Sequence, residues 1–325
     1  MLCLLLLPMS FIGCKKNDGL TTVKVNEVTH SIFYAPFYLA IEGGYFEAEG
    51  LKIELTNGGG ADKSMAALLS GSADVAFCGP ESAIYVILEG KNDAPKVFGQ
   101  LTKRDGSFLV GREKDDSFTW DKLKNKKIIA GRTGGVPAMT FEYVVNKHGL
   151  KNGENVTLDN SVQFNLMGAS FEGGNGDYVT LFEPTASEFE KAGKGYIVAS
   201  VGEESGEIPY TAFMSLTSYI TQNRDVLVKF ITALQKATNH LFTADTLAVA
   251  EEIKGQFPDT DVNSIKIALD SYLRIDAWKN EFTMTEDSLL RLQTVIKNAG
   301  VIDKTVTLEQ LVDNTIANEV NGKLK

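Results

Sequence analysis

The sequence predicts an α/β protein: two similar units of mixed, mostly parallel sheet flanked by helices, followed by a helical C-terminal region. Three observations carry that prediction. Short apolar strands alternate with amphipathic helices from residue 23 to residue 201. Glycines punctuate the strand-to-helix turns. Two stretches also echo one another. One runs strand, Gly58-Gly59-Gly60, helix, Gly71, then Asp74-Val75-Ala76-Phe77-Cys78-Gly79-Pro80-Glu81. The other runs strand, Gly134-Gly135, helix, then Gly176-Asp177-Tyr178-Val179-Thr180-Leu181-Phe182-Glu183-Pro184.

In the first unit, 23–28 reads as a strand and 36–42 as a helix stopped by Gly43-Gly44. Residues 51–56 alternate as a strand does, and 62–70 form a helix with apolar Met65, Ala66, Leu68 and Leu69, closed by Gly71. A strand at 74–78 leads into a helix at 81–89, closed by Gly90. The second unit starts after a solvated, lysine-bearing turn at 122–127. It reads strand 127–130, Gly-rich turn 131–135, helix 136–148, strand 156–158, strand 177–182, a helix opened by Pro184, and strand 196–201. From residue 219 the pattern is helical, with Leu227, Phe230, Ile231, Leu234 and Ala237 on one face. Start signals follow at Asp261, at Thr285 and in the capping box Thr307-x-x-Gln310. Such a tail is expected to pack back on one lobe as scaffold.

Composition removes several function classes. Of 325 residues, 43% are hydrophobic and 23% charged, which is ordinary for a globular chain. A net charge of −10 and scattered lysines argue against nucleic acid, whose phosphates need clustered cations. Cys3, Cys14 and Cys78, and His30, His148 and His240, have no metal-ligand spacing, so neither a metal nor a Cys/His catalytic centre is expected. No GxxxxGK[ST] loop occurs and no GxGxxG follows a strand, so no nucleotide or other cofactor is expected. Residues 2–12 are almost wholly apolar but too short for a span, which takes about 20 residues. They match the core of a secretory signal. The following Phe11-Ile12-Gly13-Cys14 resembles a bacterial lipobox, although no Lys or Arg precedes the apolar run. The expectation is a signal peptide over 1–13 and a tether over 14–22. Lipid on Cys14 would anchor the exported chain to the outer face of the cytoplasmic membrane.

In open α/β sheets ligands bind beyond the carboxyl ends of strands, beside helix N-termini whose N–H groups are unpaired. The turns 30–36, 57–62, 78–82, 131–136 and 182–185 are the places for such contacts, and two units facing each other would make a closable cleft. Glycine at Gly59, Gly60, Gly134 and Gly135 allows close backbone approach. Phe33, Tyr34 and Tyr38 can stack on a planar ligand, or can be ordinary core. Glu81 and Glu183 can accept from ligand N–H groups, or can only complement their helix dipoles. Arg104, Arg132, Ser31 and Thr133 suit an anion, with Arg104 equally a hinge-surface residue. His30 and Asp62 complete the candidate ligand set, His30 equally as a satisfied turn residue.

At these same turns the sequence resembles a known family. The run His30-Ser31-Ile32-Phe33-Tyr34-Ala35-Pro36-Phe37-Tyr38-Leu39-Ala40 is followed by Gly43-Gly44-Tyr45-Phe46-Glu47-Ala48-Glu49-Gly50-Leu51. Gly58 to Asp62, Leu68 to Ala76 and Gly79-Pro80-Glu81 continue the pattern in order. It resembles the substrate-binding proteins of ABC importers for sulfonates, taurine, nitrate and thiamine pyrimidine precursors. That resemblance implies a type II periplasmic-binding-protein fold, a small-molecule ligand, an ABC transporter permease as partner and a monomer. It implies crossovers at 103–108 and 208–213, lobe 1 from 23–104 plus 212–325, and lobe 2 from 105–211. The family also holds pyrimidine-precursor synthases of yeast type, with a cysteine-rich cluster and a lysine for pyridoxal phosphate. Here Cys78 stands alone, although Lys63 follows the Gly turn, and the export signal suits a binder better than that intracellular enzyme. A lipoprotein sensor partnering a membrane receptor is a further reading. Two glutamates on cleft turns favour a planar nitrogen-bearing ligand over a sulfonate or nitrate, because a bare carboxylate beside an anion costs several kcal/mol.

Overall fold

The computed structural model describes residues 19–324. The expected signal peptide, Cys14 and the first part of the tether lie outside the described residues. The described strands are β1 (Thr21–Glu27), β2 (Leu51–Asn57), β3 (Val75–Cys78), β4 (Pro95–Thr102), β5 (Ser107–Gly111), β6 (Lys127–Ile129), β7 (Thr157–Asp159), β8 (Tyr178–Phe182), β9 (Tyr196–Ser200) and β10 (Thr211–Leu216). They form two five-stranded sheets, ordered β2-β1-β3-β10-β4 and β7-β6-β8-β5-β9. In each sheet the strands joined by helices pair parallel, β1 with β2 and β3, and β6 with β7 and β8. The other pairings, β10 with β3 and β4, and β5 with β8 and β9, are antiparallel.

Three of the strands in antiparallel pairs, β4, β5 and β10, are the ones that hydrophobic alternation does not reveal. Every residue of β5 is buried, as are all but one residue of β4 and of β10. A strand covered on both faces has no period of two to read. Its buried polar residues, Gln100, Thr102, Ser107, Thr211 and Ser215, hide it further. These strands carry the chain between the sheets: β4 passes to β5 through 103–106, and β9 returns to β10 through 201–210.

Helix signals read from the sequence hold at their expected places. Asp261, Thr285 and Thr307 each accept a backbone N–H of the first turn, and the Thr307–Gln310 capping box is complete. The first sheet is cored by aromatic rings: Phe77 stacks on Phe213 at 4.2 Å, and Phe37, Phe46, Phe98 and Phe230 close around them. Each such ring contributes roughly 1.5–3 kcal/mol by burial. The C-terminal helices depart from the one-lobe expectation. Arg224–Thr243 packs on Ala35–Glu42, but Val262–Arg274 also reaches Thr185–Lys191, and Glu286–Asn298 touches Val136–Lys147 as well as Glu81–Leu88. The tail therefore bears on helices of both sheets. Among the described residues no helix is long and apolar enough to cross a membrane, and no group of His, Cys, Asp and Glu could hold a metal ion.

Candidate functional site

A cavity of about 790 Å³ lies where the carboxyl ends of the parallel strands of both sheets converge. Residues following β1, β2 and β3 line one side, residues following β6 and β7 and the end of β8 line the other, and Tyr210 and Thr211 at the start of β10 form the connecting wall. Its size and its mostly apolar, aromatic lining suit an organic small molecule.

The aromatic wall is built from distant segments. Phe33 sits edge-on to Phe182 at 5.5 Å and to Tyr210 at 5.8 Å, and Phe164 tilts against Phe182 at 5.3 Å. Phe33 is held there by its carbonyl, which accepts from Trp278 Nε1 at 2.8 Å, and by Gly106, where an added Cβ would lie 2.6 Å from the Phe33 ring. Tyr34 faces the same space, its hydroxyl accepting from Thr211 Oγ1 at 3.4 Å.

The charge in the lining is sparse. Apart from its tyrosines, its ionisable side chains are Asp62, Glu81 and Arg132. Arg132 Nη2 lies 3.7 Å from Asp62 Oδ1, so this cation and this anion face each other across the cavity mouth. Glu81 opens the helix Glu81–Leu88 and is only 3% exposed. Its Oε2 is buried without a hydrogen-bond partner. Burial pushes its pKa up to about 7, although the backbone N–H groups of Glu81 and Ser82 pull the other way. The carboxylate folds back over Gly79, where any Cβ would collide with it. One helical turn on, the Tyr85 hydroxyl is also buried and unpartnered, and burial and then the Glu81 charge raise its pKa.

Eleven of the residues singled out in the sequence meet in this lining: Ser31, Phe33, Tyr34, Gly59, Gly60, Asp62, Glu81, Arg132, Thr133, Gly134 and Gly135. Four others sit elsewhere. Tyr38 is core, its hydroxyl donating to Glu27 Oε2 at 2.6 Å. His30 turns away from the cavity to Glu27 Oε1 at 2.8 Å and the Gln256 carbonyl at 2.9 Å. Arg104 lies on the crossover, 3.9 Å from Asp276. Glu183 is buried but satisfied, Oε1 accepting from Ser187 Oγ at 2.7 Å and Oε2 from Ser187 N at 3.0 Å. Sequence reasoning passed over Phe164, Phe182, Tyr210 and Tyr85. Tyr85 had a signal, its i+4 spacing from Glu81. Phe182 stood beside Glu183 in a turn already singled out. Phe164 and Tyr210 had none, because long-range packing alone brings them here.

The family model for NMT1/THI5-like proteins matches residues 32–245, which includes the lining from Phe33 to Thr211. This chain belongs to the NMT1/THI5-like family. The Bacillus subtilis (strain 168) protein YtlA, named as a candidate binding protein, is 42% identical over 98% of this chain and 95% of its own length. Among solved structures, the alkanesulfonate-binding protein SsuA of Xanthomonas axonopodis pv. citri, bound to MOPS, matches with a TM-score of 0.72 and 17% identity, covering 91% of this chain and 99% of that one. The periplasmic nitrate-binding protein NrtA of Synechocystis PCC 6803 matches at 0.69 and 16%, covering 94% and 89%. At that identity the likeness is one of fold. This NMT1/THI5-like protein has the type II periplasmic-binding-protein architecture of ABC-importer substrate-binding components, as the sequence pattern implied.

Proposed function

We propose that this NMT1/THI5-like protein is the substrate-binding component of an ABC importer and that its cavity captures a planar, nitrogen-bearing small molecule of the pyrimidine or vitamin-precursor kind. The observation that carries the ligand class is Glu81: a residue of the aromatic-walled lining whose buried carboxylate has one oxygen with no protein partner. An orphaned acceptor of this kind costs free energy until a donor meets it. A ligand N–H group would supply that donor while its ring packs against Phe33, Tyr34, Phe164 and Phe182. Arg132, the cation of the lining, already faces Asp62, which leaves little to neutralise a sulfonate or nitrate. A second reading keeps Arg132 as the anchor of a small anion beside the Thr133–Gly135 backbone, favoured by the open Gly-rich turn.

In this reading 23–104 plus 212–325 and 105–211 are the two lobes, and the cavity lining is the binding set. The N-terminal segment directs export, Cys14 carries the lipid, and a monomer presents the ligand to a membrane permease. Mass spectrometry of small molecules released by denaturing the purified protein tests the ligand class. A pyrimidine-like or other amino-heterocyclic mass supports Glu81 as the contact. A sulfonate or nitrate overturns it and moves the assignment to Arg132. Replacing Cys14 by Ser should release the protein from membranes of the expressing cell, and continued membrane association would refute the anchor.

A further inference from the structure

The structure assigns His30 a role other than ligand contact, and the inference stands whatever the cavity binds. Both ring nitrogens face acceptors. Nδ1 lies 2.8 Å from Glu27 Oε1, and Nε2 lies 2.9 Å from the backbone carbonyl of Gln256. A carbonyl can only accept, so Nε2 carries a proton. The proton shared with Glu27 stays on the ring, because imidazole is the stronger base of the two groups. Glu27 is 2% exposed, and its other oxygen is occupied by the Tyr38 hydroxyl at 2.6 Å, which leaves it an acceptor on both sides. The ring itself packs between Tyr38 at 4.6 Å and Phe257 at 4.9 Å.

We propose that His30 is a doubly protonated positioning residue that latches the cavity-lining turn 28–34 to the segment 254–257. The turn carries Val28, Thr29, Ser31, Phe33 and Tyr34 into the lining. Its Ser31 N–H donates to Tyr38 Oη at 3.3 Å, so the Glu27–Tyr38–His30 cluster sets where the turn sits. The partner segment is a short 3-10 helix, Lys254–Gln256, far along the chain. It is also tied down by Gln256 Nε2 to Glu42 and by Lys254 Nζ to the carbonyls of Phe257 and Pro258. The ionisable groups around the ring are therefore Glu27 on β1, Tyr38 and Glu42 on Ala35–Glu42, and Lys254 on the 3-10 helix.

Burial opposes the charge on His30, but the Glu27 hydrogen bond, the Glu27 charge and the Gln256 carbonyl outweigh it, and the pKa is raised. The latch is thus fully formed below the ordinary histidine value of about 6.5 and is lost as pH rises through the higher folded value. A neutral ring can donate to one acceptor only. The Gln256 carbonyl is released first, because the carboxylate is the stronger acceptor.

The test is the ¹⁵N spectrum of the imidazole groups, with His30 assigned by its absence in His30→Gln, combined with hydrogen exchange. At about pH 6 both His30 nitrogens should be protonated, with a titration midpoint above the ordinary histidine value of about 6.5. Exchange protection over 28–34 and 254–257, corrected for intrinsic rates, should fall about tenfold between about pH 6 and about pH 9. That fall should vanish in His30→Gln. If that variant does not fold, His148→Gln and His240→Gln assign the His30 signals by elimination, and the titration decides alone. A His30 ring that titrates at or below the ordinary value of about 6.5 overturns the proposal. So does a fall in protection that persists in His30→Gln.

Discussion

Glu81 and Glu183 occupy matching turns of the two units, each between the end of a central strand and the helix that follows. Both are nearly sealed from solvent, at 3% and 2% exposure. Glu183 has Ser187 four residues on, whose hydroxyl and N–H occupy both carboxylate oxygens. Glu81 has Tyr85 at that spacing, whose hydroxyl does not reach it, and its buried Oε2 is left without a partner. Equal burial thus gives two opposite outcomes. Partnering, not depth, decides whether a buried carboxylate is structural or is free to meet a ligand.

The largest expected effect that sharpens this comparison is on stability against pH. The folded Glu81 keeps its proton up to about 7, whereas its ordinary value is 4.5. Between those values the unfolded chain ionises first, so wild-type stability declines as pH rises through this window and levels off above it. Glu81→Gln does not titrate. Its stability relative to wild type should climb by ~3 kcal/mol between about pH 4.5 and about pH 7, as read from denaturant midpoints. A constant difference across that range would mean that Glu81 is not held protonated.

Next in size is ligand affinity. Above about pH 7, where the wild-type carboxylate is ionised, Glu81→Gln should weaken an aminopyrimidine by about 10- to 100-fold in calorimetry, the loss of a hydrogen bond to a charged group, and leave an alkyl sulfonate unchanged. Glu183→Gln should leave both unchanged. Equal losses in the two variants would erase the distinction between the two turns. Ser187→Ala strips Glu183 of its hydroxyl donor and should destabilise the protein by about 1–3 kcal/mol without altering ligand binding. Smallest is the pair at the mouth. Arg132→Ala should change stability by no more than about 1 kcal/mol, since Arg132 and Asp62 are 42% and 65% exposed. A large loss of anion binding in that variant would favour the second reading of the cavity.

Much of the fold was legible in the sequence because it rests on local chemistry. The turn at Gly43-Gly44, the helix over Ala61–Leu69 and the Thr307 capping box announce themselves by residue type and spacing. β4, β5 and β10 did not, because strands buried on both faces lose the alternation that marks a strand. The site divides in the same way. Ser31, Phe33, Glu81 and Arg132 were found through the turns that carry them. Phe164 and Tyr210 enter the lining only through contacts between remote segments. For His30 the sequence left two roles open, ligand contact or satisfied turn residue, and could not name its partner Gln256, which lies 226 residues away.

The sequence by itself determined the alternation of elements, the glycine-opened turns, the helix caps and the family pattern, because each depends on residues within a few positions of one another. The tertiary structure decided which carboxylate has a partner, which aromatic rings share a wall, and which histidine nitrogen meets a carbonyl. Those outcomes depend on distances of a few ångströms between groups far apart in the chain, and spacing along the sequence carries no information about them.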